Sequence, residues 1–301
     1  MIPFCEGGVA ACMATYPGRF GNLKRVVASL VPQIDQLYIY VNETLDGLPD
    51  LSLWPNVTIL DARAHEGDLS ATGKLFPLEF ISRSFVFLVD DDFIYPPDYV
   101  ARYRAIFAAF DDRCCVATHG GVLPPRPLWY FDRCRSFDAQ KALDRLHLAS
   151  LAGSGTFAFH QDRFTVRFAD APREPMVDLF LSMGAFDQGL PIWCAPRPER
   201  WLHHLGGAGL WEGYRARLTH HTNAARSRDW SFDRYREIAD RAVATFDARA
   251  AEGFAAGLTI DSELRRALEV GGEPSSWRRD RSAYRQRKRY FDLLLKEEGA
   301  A

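Results

Sequence analysis

Three consecutive aspartates, Asp90–Asp92, directly follow the uninterrupted apolar run Phe85–Val89. Neighbouring carboxylates repel one another, so such a cluster needs water or a cation to offset its charge. Divalent cations such as Mn²⁺ or Mg²⁺ prefer carboxylate oxygens, often together with substrate phosphates. Asp90 and Asp92 are two residues apart on an extended segment and can face one ligand. The triplet therefore predicts a metal site at the end of a buried strand, with a solvated acidic turn as the alternative.

The polar loop Gly67–Lys74 contains the parts of a phosphate-binding loop without its spacing. Five residues rather than four separate its two glycines, and Leu75 stands where a P-loop has Ser or Thr. Asp68 can accept hydrogen bonds from a base or a ribose, and Lys74 at the start of a helix can approach a phosphate. The loop is a candidate nucleotide contact, or else a polar loop whose lysine reaches towards solvent.

Two features of the second half of the chain could serve a second substrate. One is a glycine-containing segment, whose glycines would let a substrate approach the backbone, or which forms a plain turn before a strand. Its residues are Gly153, Ser154, Gly155 and Thr156. The other is Asp178, the single acid of the mostly apolar segment Met176–Gly184. Apolar surroundings raise a carboxyl pKa and suit the group to act as a general base, although a helix dipole also favours an acid in the first turn.

Two histidine doublets, His203-His204 and His220-His221, lie further along the chain. A histidine that follows an acidic metal site could supply a late metal ligand or contact a phosphate. The sequence does not select one residue, and we prefer the pair at 220 and 221.

The elements that must position these side chains alternate between strand and helix over the first 120 residues. The predicted strands are Val9–Thr15, Gln36–Val41, Val57–Leu60, Phe85–Val89 and Cys114–Thr118, and the predicted helices are Asn22–Val31, Lys74–Ser82 and Pro97–Phe110. This pattern predicts an α/β fold with a mostly parallel sheet and helices on both faces. Such sheets bind ligands at the carboxyl ends of their strands, where the loops 16–21, 42–44, 61–73 and 90–92 would meet.

Three further helices are predicted after residue 225, at Asp233–Glu252, Ser262–Glu269 and Asp280–Lys296. We therefore expect a catalytic domain over residues 1–225 and a helical C-terminal extension over 226–301. The basic stretch Arg278–Arg289 could lie on an anionic membrane surface, or could be a solvated helix packed on its own domain.

Composition narrows the class of protein further. Hydrophobic residues make up 47% and charged residues 25% of the 301 residues, which is ordinary globular usage. Lys and Arg total 37 against 39 Asp and Glu, so no chain-wide basic footprint points to nucleic acid. No apolar stretch reaches the roughly 18 residues of a spanning helix. We expect a cytoplasmic protein, with a peripheral contact at the inner membrane face as the alternative that Arg278–Arg289 leaves open.

The order of these motifs resembles the GT-A superfamily of nucleotide-sugar-dependent glycosyltransferases, especially its family-2-like bacterial enzymes. Ala14–Arg19 is similar to the first-strand loop that holds the nucleotide, and Asp90–Asp92 is similar to the DxD motif. The resemblance implies a Rossmann-like GT-A fold. The donor contacts that it implies are Thr15, Tyr16, Arg19, Asn42, Asp68, Lys74, Asp90 and Asp91.

The same resemblance implies a reaction. A sugar would pass from a nucleotide-diphosphate donor, a UDP-sugar, to a hydroxyl of a glycan or glycolipid, in bacterial surface polysaccharide or glycoconjugate synthesis. Mn²⁺ or Mg²⁺ would be held by Asp90 and Asp92, with Asp92 the more direct ligand, and by His220 or His221. Asp178 would be the base of an inverting displacement, with the segment 153–156 beside the acceptor.

Two other classes of protein remain alternatives. A sugar-phosphate nucleotidyltransferase also uses strand-end acids and a metal, but normally has a glycine- and basic-rich loop after its first strand, where this chain offers only Arg19. A non-catalytic carbohydrate-binding protein would have no need of acids at the end of a strand. A phosphatase of the DxD type is disfavoured, because its acid pair follows the first strand whereas here the pair begins at Asp90.

Overall fold

The computed structural model describes residues 2–172, 176–206 and 218–280 together with Arg285 and Arg289. Its strands in chain order are β1 (Cys5–Glu6), β2 (Val9–Thr15), β3 (Gln36–Val41), β4 (Val57–Asp61), β5 (Ile81–Ser82), β6 (Phe85–Val89), β7 (Phe93–Ile94), β8 (Cys115–Ala117), β9 (Gly120–Val122), β10 (Arg135–Phe137), β11 (His147–Ala149), β12 (Leu151–Ala152), β13 (Thr156–His160), β14 (Ile192–Cys194) and β15 (His203–His204).

The helices are α1 (Phe20–Leu30), α2 (Tyr99–Ala109), α3 (Val177–Asp187), α4 (Leu218–Arg226), α5 (Phe232–Ala251) and α6 (Ser262–Glu269). Short 3₁₀ segments are Pro17–Arg19, Val31–Gln33, Ala62–Ala64, Ser70–Phe80, Phe168–Asp170 and Ser275–Trp277. The last predicted helix, Asp280–Lys296, lies outside the described residues except at positions 280, 285 and 289, as does most of the basic stretch Arg278–Arg289.

Eight strands form one sheet in the order β11-β14-β8-β13-β6-β2-β3-β4. The strands β6, β2, β3 and β4 pair in parallel, as do β14 and β8. Strand β13 is antiparallel to both of its neighbours, β6 and β8, and β11 is antiparallel to β14. The predicted α/β class is confirmed, and the sheet is mixed: four of its seven strand pairings are parallel and three are antiparallel. The hydrophobic pattern of a buried strand does not encode its direction, which the connections decide.

The apolar patterns explain why the central elements form. All five residues of β6 are buried, as expected for a strand covered on both faces. Helix α1 buries Leu23, Val26, Val27 and Leu30, the spacing of a helix with one apolar face. The segment predicted as a helix at Lys74–Ser82 is instead a 3₁₀ run over Ser70–Phe80 that contains Pro77 and leads into β5. Proline has no N–H to donate, so a regular α-helix through this position would lose a hydrogen bond.

The C-terminal helices pack on the far edge of the sheet. The ring of Phe246 in α5 lies 5.3 Å from that of Phe110, which follows α2. The imidazole Nδ1 of His147 in β11 lies 3.0 Å from Asp261 Oδ2, and Asp261 also caps α6. The buried residues of α5 belong to the same hydrophobic core as the sheet. No helix within the described ranges is long and apolar enough to cross a bilayer.

Candidate active site

A cleft of about 910 Å³ runs along the edge of the sheet where the parallel strands end. Strand β2 ends there at Thr15, β3 ends just before Asn42, and β6 ends just before Asp90. Because β13 runs the opposite way, it begins at the same edge, and its first residue, Thr156, pairs with Val89. The antiparallel strand therefore brings the glycine-containing segment that precedes it next to the acidic triplet.

Asp90 is held from two sides at the end of β6. One carboxylate oxygen forms a short ion pair with the ammonium of Lys74, which is only 2% exposed. The backbone N–H of Asp90 donates to the hydroxyl of Tyr95 at 2.8 Å, and that hydroxyl donates to the carbonyl of Gly155. Burial acts to raise the pKa of Asp90, but the charge and the hydrogen bond of Lys74, together with the positive charge of Arg19, outweigh it and keep the pKa below its usual value. Asp90 is therefore ionised at neutral pH.

Asp91 and Asp92 share one cation, the guanidinium of Arg19. Arg19 Nη2 lies 3.3 Å from Asp92 Oδ2, and Nε lies 4.0 Å from Asp91 Oδ1. Thr15 donates its hydroxyl to Asp91 at 2.7 Å. Burial, reinforced by the charge of Asp90 and opposed by the Thr15 hydrogen bond, raises the pKa of Asp91 to about 6. Burial and the charge of Asp90 also raise the pKa of Asp92. The triplet thus carries more negative charge than its neighbourhood readily accommodates.

His204 is the histidine that contacts Asp92 of the triplet. Strand β15 pairs with β7, which follows the triplet directly, and places His204 opposite Phe93. His204 Nε2 then lies 3.3 Å from Asp92 Oδ2. The histidine in contact with Asp92 thus belongs to the doublet His203-His204, and not to the pair His220 and His221 that we preferred from the sequence.

Those two histidines lie on α4. The side chain of His220 is exposed and is not among the residues that line the cleft. His221 is buried and lines the cleft, with its ring 5.4 Å from that of Tyr130. The structure therefore places His221 on the wall of the cleft that Tyr130 forms.

The surroundings of Asp92 suit a divalent cation. Asp92 Oδ1 is buried and has no hydrogen-bond partner among the described residues. The neighbouring nitrogen of His204 and this oxygen are donors that Mn²⁺ accepts. Within the described part of the chain, no three His, Cys, Asp or Glu side chains are already gathered as a metal cage. Mg²⁺-like ions often use one or two carboxylates of a protein and complete their shell with substrate phosphates and water.

The expected donor residues line the end of the cleft near β2 and β3. They are Thr15, Tyr16, Arg19, Asn42, Asp68, Lys74, Asp90 and Asp91. Tyr16 is folded over Gly18, where a Cβ would lie 2.6 Å from the Tyr16 ring. Asn42 is buried and its side chain binds backbone: it accepts from Leu69 N–H at 2.9 Å and donates to the Ser70 carbonyl at 3.0 Å. Asn42 therefore holds the loop that carries Asp68, and its amide is already engaged.

The segment 153–156 approaches the protein's own side chains. A Cβ on Gly155 would lie 2.0 Å from Asp90 Oδ2, so this glycine makes room for the acid. Thr156 is fully buried, and its hydroxyl accepts the Thr118 N–H at 3.0 Å. Gly153 and Ser154 line the cleft, whereas Gly155 and Thr156 are not among the lining residues and lie behind its wall. The expected acceptor contact is thus confined by geometry to the first two residues of the segment.

Asp178 stands in the first turn of α3 and faces the same cleft. Its Oδ1 accepts the backbone N–H of Ser154 at 2.8 Å, and its Oδ2 lies 3.4 Å from the hydroxyl of Tyr130. The first of these bonds ties the acid to the glycine-containing segment and fixes its orientation. A carboxylate that is held in this way, half-buried and open to a cleft, can accept a proton from a bound hydroxyl.

Sequence reasoning missed His119, which lines the cleft just after β8. Its Nδ1 lies 3.0 Å from Thr156 Oγ1, and a Cβ on Gly153 would lie 1.7 Å from its Nε2. Burial lowers the pKa of His119, although the carboxylates of Asp178 and Asp90 act in the other direction. A neutral imidazole therefore lies close to both acids. The available signal was a histidine directly after a predicted strand, at the edge where ligands bind.

Sequence reasoning also missed an aromatic part of the wall. Tyr130 and Phe131 line the cleft together with Arg133, whose guanidinium lies 5.0 Å from the centre of the Tyr130 ring. Flat aromatic faces beside hydrogen-bonding groups are suited to sugar rings, which have apolar faces and polar edges.

No protein-family model matches the chain, and the search of curated proteins found no match.

Proposed function

We propose that this protein is a metal-dependent glycosyltransferase of GT-A type. It transfers a sugar from a nucleotide-diphosphate donor, a UDP-sugar, to a hydroxyl of a glycan or glycolipid acceptor, with inversion at the anomeric carbon. One observation carries the proposal: the acidic triplet and Asp178 open into the same cleft at the ligand-binding edge of an α/β sheet. The order of the eight strands, with an antiparallel β13 that carries the 153–156 segment to the triplet, supports it.

The donor end of the cleft combines polar loops with two buried cations. Lys74 and Arg19, 2% and 9% exposed, lie beside the acidic triplet and supply positive charge where the diphosphate of a donor would lie. Tyr16 and Asp68 are placed on the loops after β2 and β4, where a base and a ribose can be contacted. A nucleoside diphosphate leaves readily only when its developing charge is offset, and groups fixed beforehand in the cleft do this without reorganisation.

A divalent cation, Mn²⁺ or Mg²⁺, would be held by Asp92 and His204, with Asp90 close by. When bound, it acts as a Lewis acid that stabilises negative charge on the diphosphate oxygens. Asp92 Oδ1 is buried and has no hydrogen-bond partner among the described residues. This oxygen is the feature of the chain that favours such an ion.

The acceptor end supplies the base. Asp178 accepts the proton of the acceptor hydroxyl as the hydroxyl oxygen attacks the anomeric carbon and the bond to the diphosphate breaks. The Ser154 N–H holds one carboxylate oxygen and leaves the other, near Tyr130, for the acceptor. Such a general base contributes about 10²–10⁴-fold to a rate.

A thermal-shift screen of nucleoside diphosphates with and without Mn²⁺ tests the proposal. A ligand that binds only the native state raises Tm by mass action, so we expect one nucleoside diphosphate to raise Tm in the presence of Mn²⁺. Its sugar conjugate should then release nucleoside diphosphate when acceptors are added. Stabilisation by free sugars alone would instead indicate a carbohydrate-binding protein, and turnover of a nucleoside triphosphate with a sugar phosphate would indicate a nucleotidyltransferase.

A further inference from the structure

A second cavity, of about 760 Å³, lies outside the cleft and shares no lining residue with it. We call it the arginine pocket, because four of its lining residues are Arg126, Arg226, Arg228 and Arg279. Arg126 precedes the aromatic wall of the cleft, and Arg226 and Arg228 lie at and after the end of α4. The fold thus brings four arginines from three distant parts of the chain to the lining of one cavity.

Two of these arginines are held in place by carboxylates. Arg228 forms a two-pronged pair with Asp187 at the end of α3, with both N···O distances 2.7 Å. Arg279 donates to Asp132 at 2.9 Å and to the backbone carbonyl of Arg126 at 2.6 Å. Paired arginines with fixed planes retain further N–H groups that can point into a cavity, since each guanidinium has five.

No carboxylate of the described residues balances the charge of the other two arginines. Arg126 and Arg226 are exposed, and neither has a carboxylate partner among residues 2–172, 176–206 and 218–280. The acid among the lining residues, Asp229, contacts other groups: it lies 3.6 Å from Arg234 and accepts the Ser231 N–H at 3.1 Å. Two positive charges at the rim of the pocket are therefore in excess, and like charges around one cavity repel unless an anion joins them.

The backbone around the pocket is tied together. The indole N–H of buried Trp230 donates to the carbonyl of Ala225 at 2.6 Å, and the backbone N–H of Trp230 lies 3.4 Å from the Pro125 carbonyl. These bonds fix the turn after α4 against the loop that carries Arg126. The backbone that carries Arg126, Arg226 and Arg228 is thus held in place, which reduces the entropy lost when a ligand binds.

We propose that the arginine pocket binds a phosphate-bearing ligand. A planar guanidinium group can donate two parallel hydrogen bonds to the oxygens of one phosphate. Four arginines around one cavity offer more donors than a single carboxylate ligand could use. The phosphate could belong to a soluble polyphosphate or to the headgroup of a lipid. Both sources present the same chemistry to the pocket.

Calorimetric titration with inorganic tripolyphosphate tests the pocket, using the full chain and the variant Arg126→Gln/Arg226→Gln. We expect the double variant to lose at least about tenfold in affinity, because two charge-assisted contacts are removed. Arg25→Gln/Arg266→Gln is the matched control, since both of its residues are exposed arginines on helices and lie outside both cavities. Arg126→Lys/Arg226→Lys should retain part of the affinity, because it keeps the charge and loses the planar fork.

Sedimentation with phosphatidylcholine vesicles, with and without phosphatidic acid, separates the two sources. Binding to the phosphatidic acid vesicles that falls in the Arg126→Gln/Arg226→Gln variant identifies a lipid headgroup, and a response to tripolyphosphate alone identifies a soluble ligand. The proposal is overturned if the wild-type chain binds neither probe. It is equally overturned if the double variant and the matched control bind with the same affinity.

Discussion

The imidazole of His119 occupies the space next to the Cα of Gly153. A side-chain carbon at that position would lie 1.7 Å from His119 Nε2, far inside any allowed contact. The Gly153 N–H in turn donates to the His119 carbonyl at 3.0 Å. His119 can therefore occupy its place in the cleft only because residue 153 has no side chain.

Gly153→Ala should therefore destabilise the protein through the clash with His119. Overpacking of a buried contact costs about 1–3 kcal/mol, and we expect a loss of that size in the free energy of unfolding. The second variant, Gly153→Ala/His119→Ala, removes the ring and should recover most of this loss. Chemical denaturation of the wild type, both single variants and the double variant measures the coupling. Strictly additive effects would show that the ring and the glycine are independent.

Asp178→Asn should lose transfer and keep donor binding. The amide still accepts the Ser154 N–H but cannot take a proton, so we expect a fall of about 10²–10⁴-fold in kcat. Donor affinity, measured by calorimetry with Mn²⁺, should be unchanged. Asp247 lies on α5 and forms an exposed ion pair with Arg265 of α6, so Asp247→Asn serves as the control for general effects of removing a carboxylate. Full turnover by Asp178→Asn would remove this residue from its role as the base.

Asp92→Ala should abolish the dependence of donor binding on Mn²⁺. His204→Ala should weaken it at least about tenfold, since a nitrogen donor beside the ion is lost. His203→Ala is the matched control, because His203 is the exposed neighbour in the same short strand. Calorimetric titration of nucleoside diphosphate with and without Mn²⁺ measures the effect. Equal behaviour of the His203 and His204 variants would argue against a metal contact by His204.

Asp91→Asn should stabilise the free protein at neutral pH and have little effect near pH 4. In the folded state the pKa of Asp91 is raised to about 6, above the value of about 3.9 for an unfolded Asp. Ionisation therefore costs stability as pH rises from about 4 to 6, and the cost levels off above pH 6 at about 3 kcal/mol. Asparagine has no such cost and can still accept the Thr15 hydroxyl. Denaturation curves at pH 4, 6 and 8 test whether the difference between variant and wild type grows in this direction.

The strands of the sheet were largely predictable from the sequence. The apolar runs at Val9–Thr15, Gln36–Val41 and Phe85–Val89 form strands with the predicted bounds, because a strand buried on both faces needs continuous apolar residues. The direction of β13 was not predictable, since its hydrophobic pattern is the same whichever way it runs. The 3₁₀ geometry of Ser70–Phe80 depends on Pro77 within an otherwise helical pattern.

Four acids of the cleft were identified from the sequence. Of its histidines, His221 was a preferred candidate, His204 belonged to the doublet that was not preferred, and His119 was missed. Asp90–Asp92 and Asp178 stand out because charged groups next to apolar runs are unusual, and the cleft contains all four. In the sequence, the two histidine doublets have the same features and cannot be distinguished as candidates for a metal ligand. What separates them is the pairing of β15 with β7, a contact between residues more than 100 positions apart. His119 depends on a similar long-range contact with the segment that begins at Gly153.

The pairing of Thr156 with Val89 also protects the cleft against misalignment of the sheet. If β13 slipped along β6 by one position, so that Thr156 rather than Gly155 lay opposite Asp90, its side chain would collide with the Asp90 carboxylate, since even a Cβ has no room there. The slip would also exchange the side chains between the two faces of β13, both of which are buried, because alternate side chains point to opposite sides. A sheet in this shifted register would therefore be less stable for two reasons, and the contact between Gly155 and Asp90 is one of the features that favour the native register.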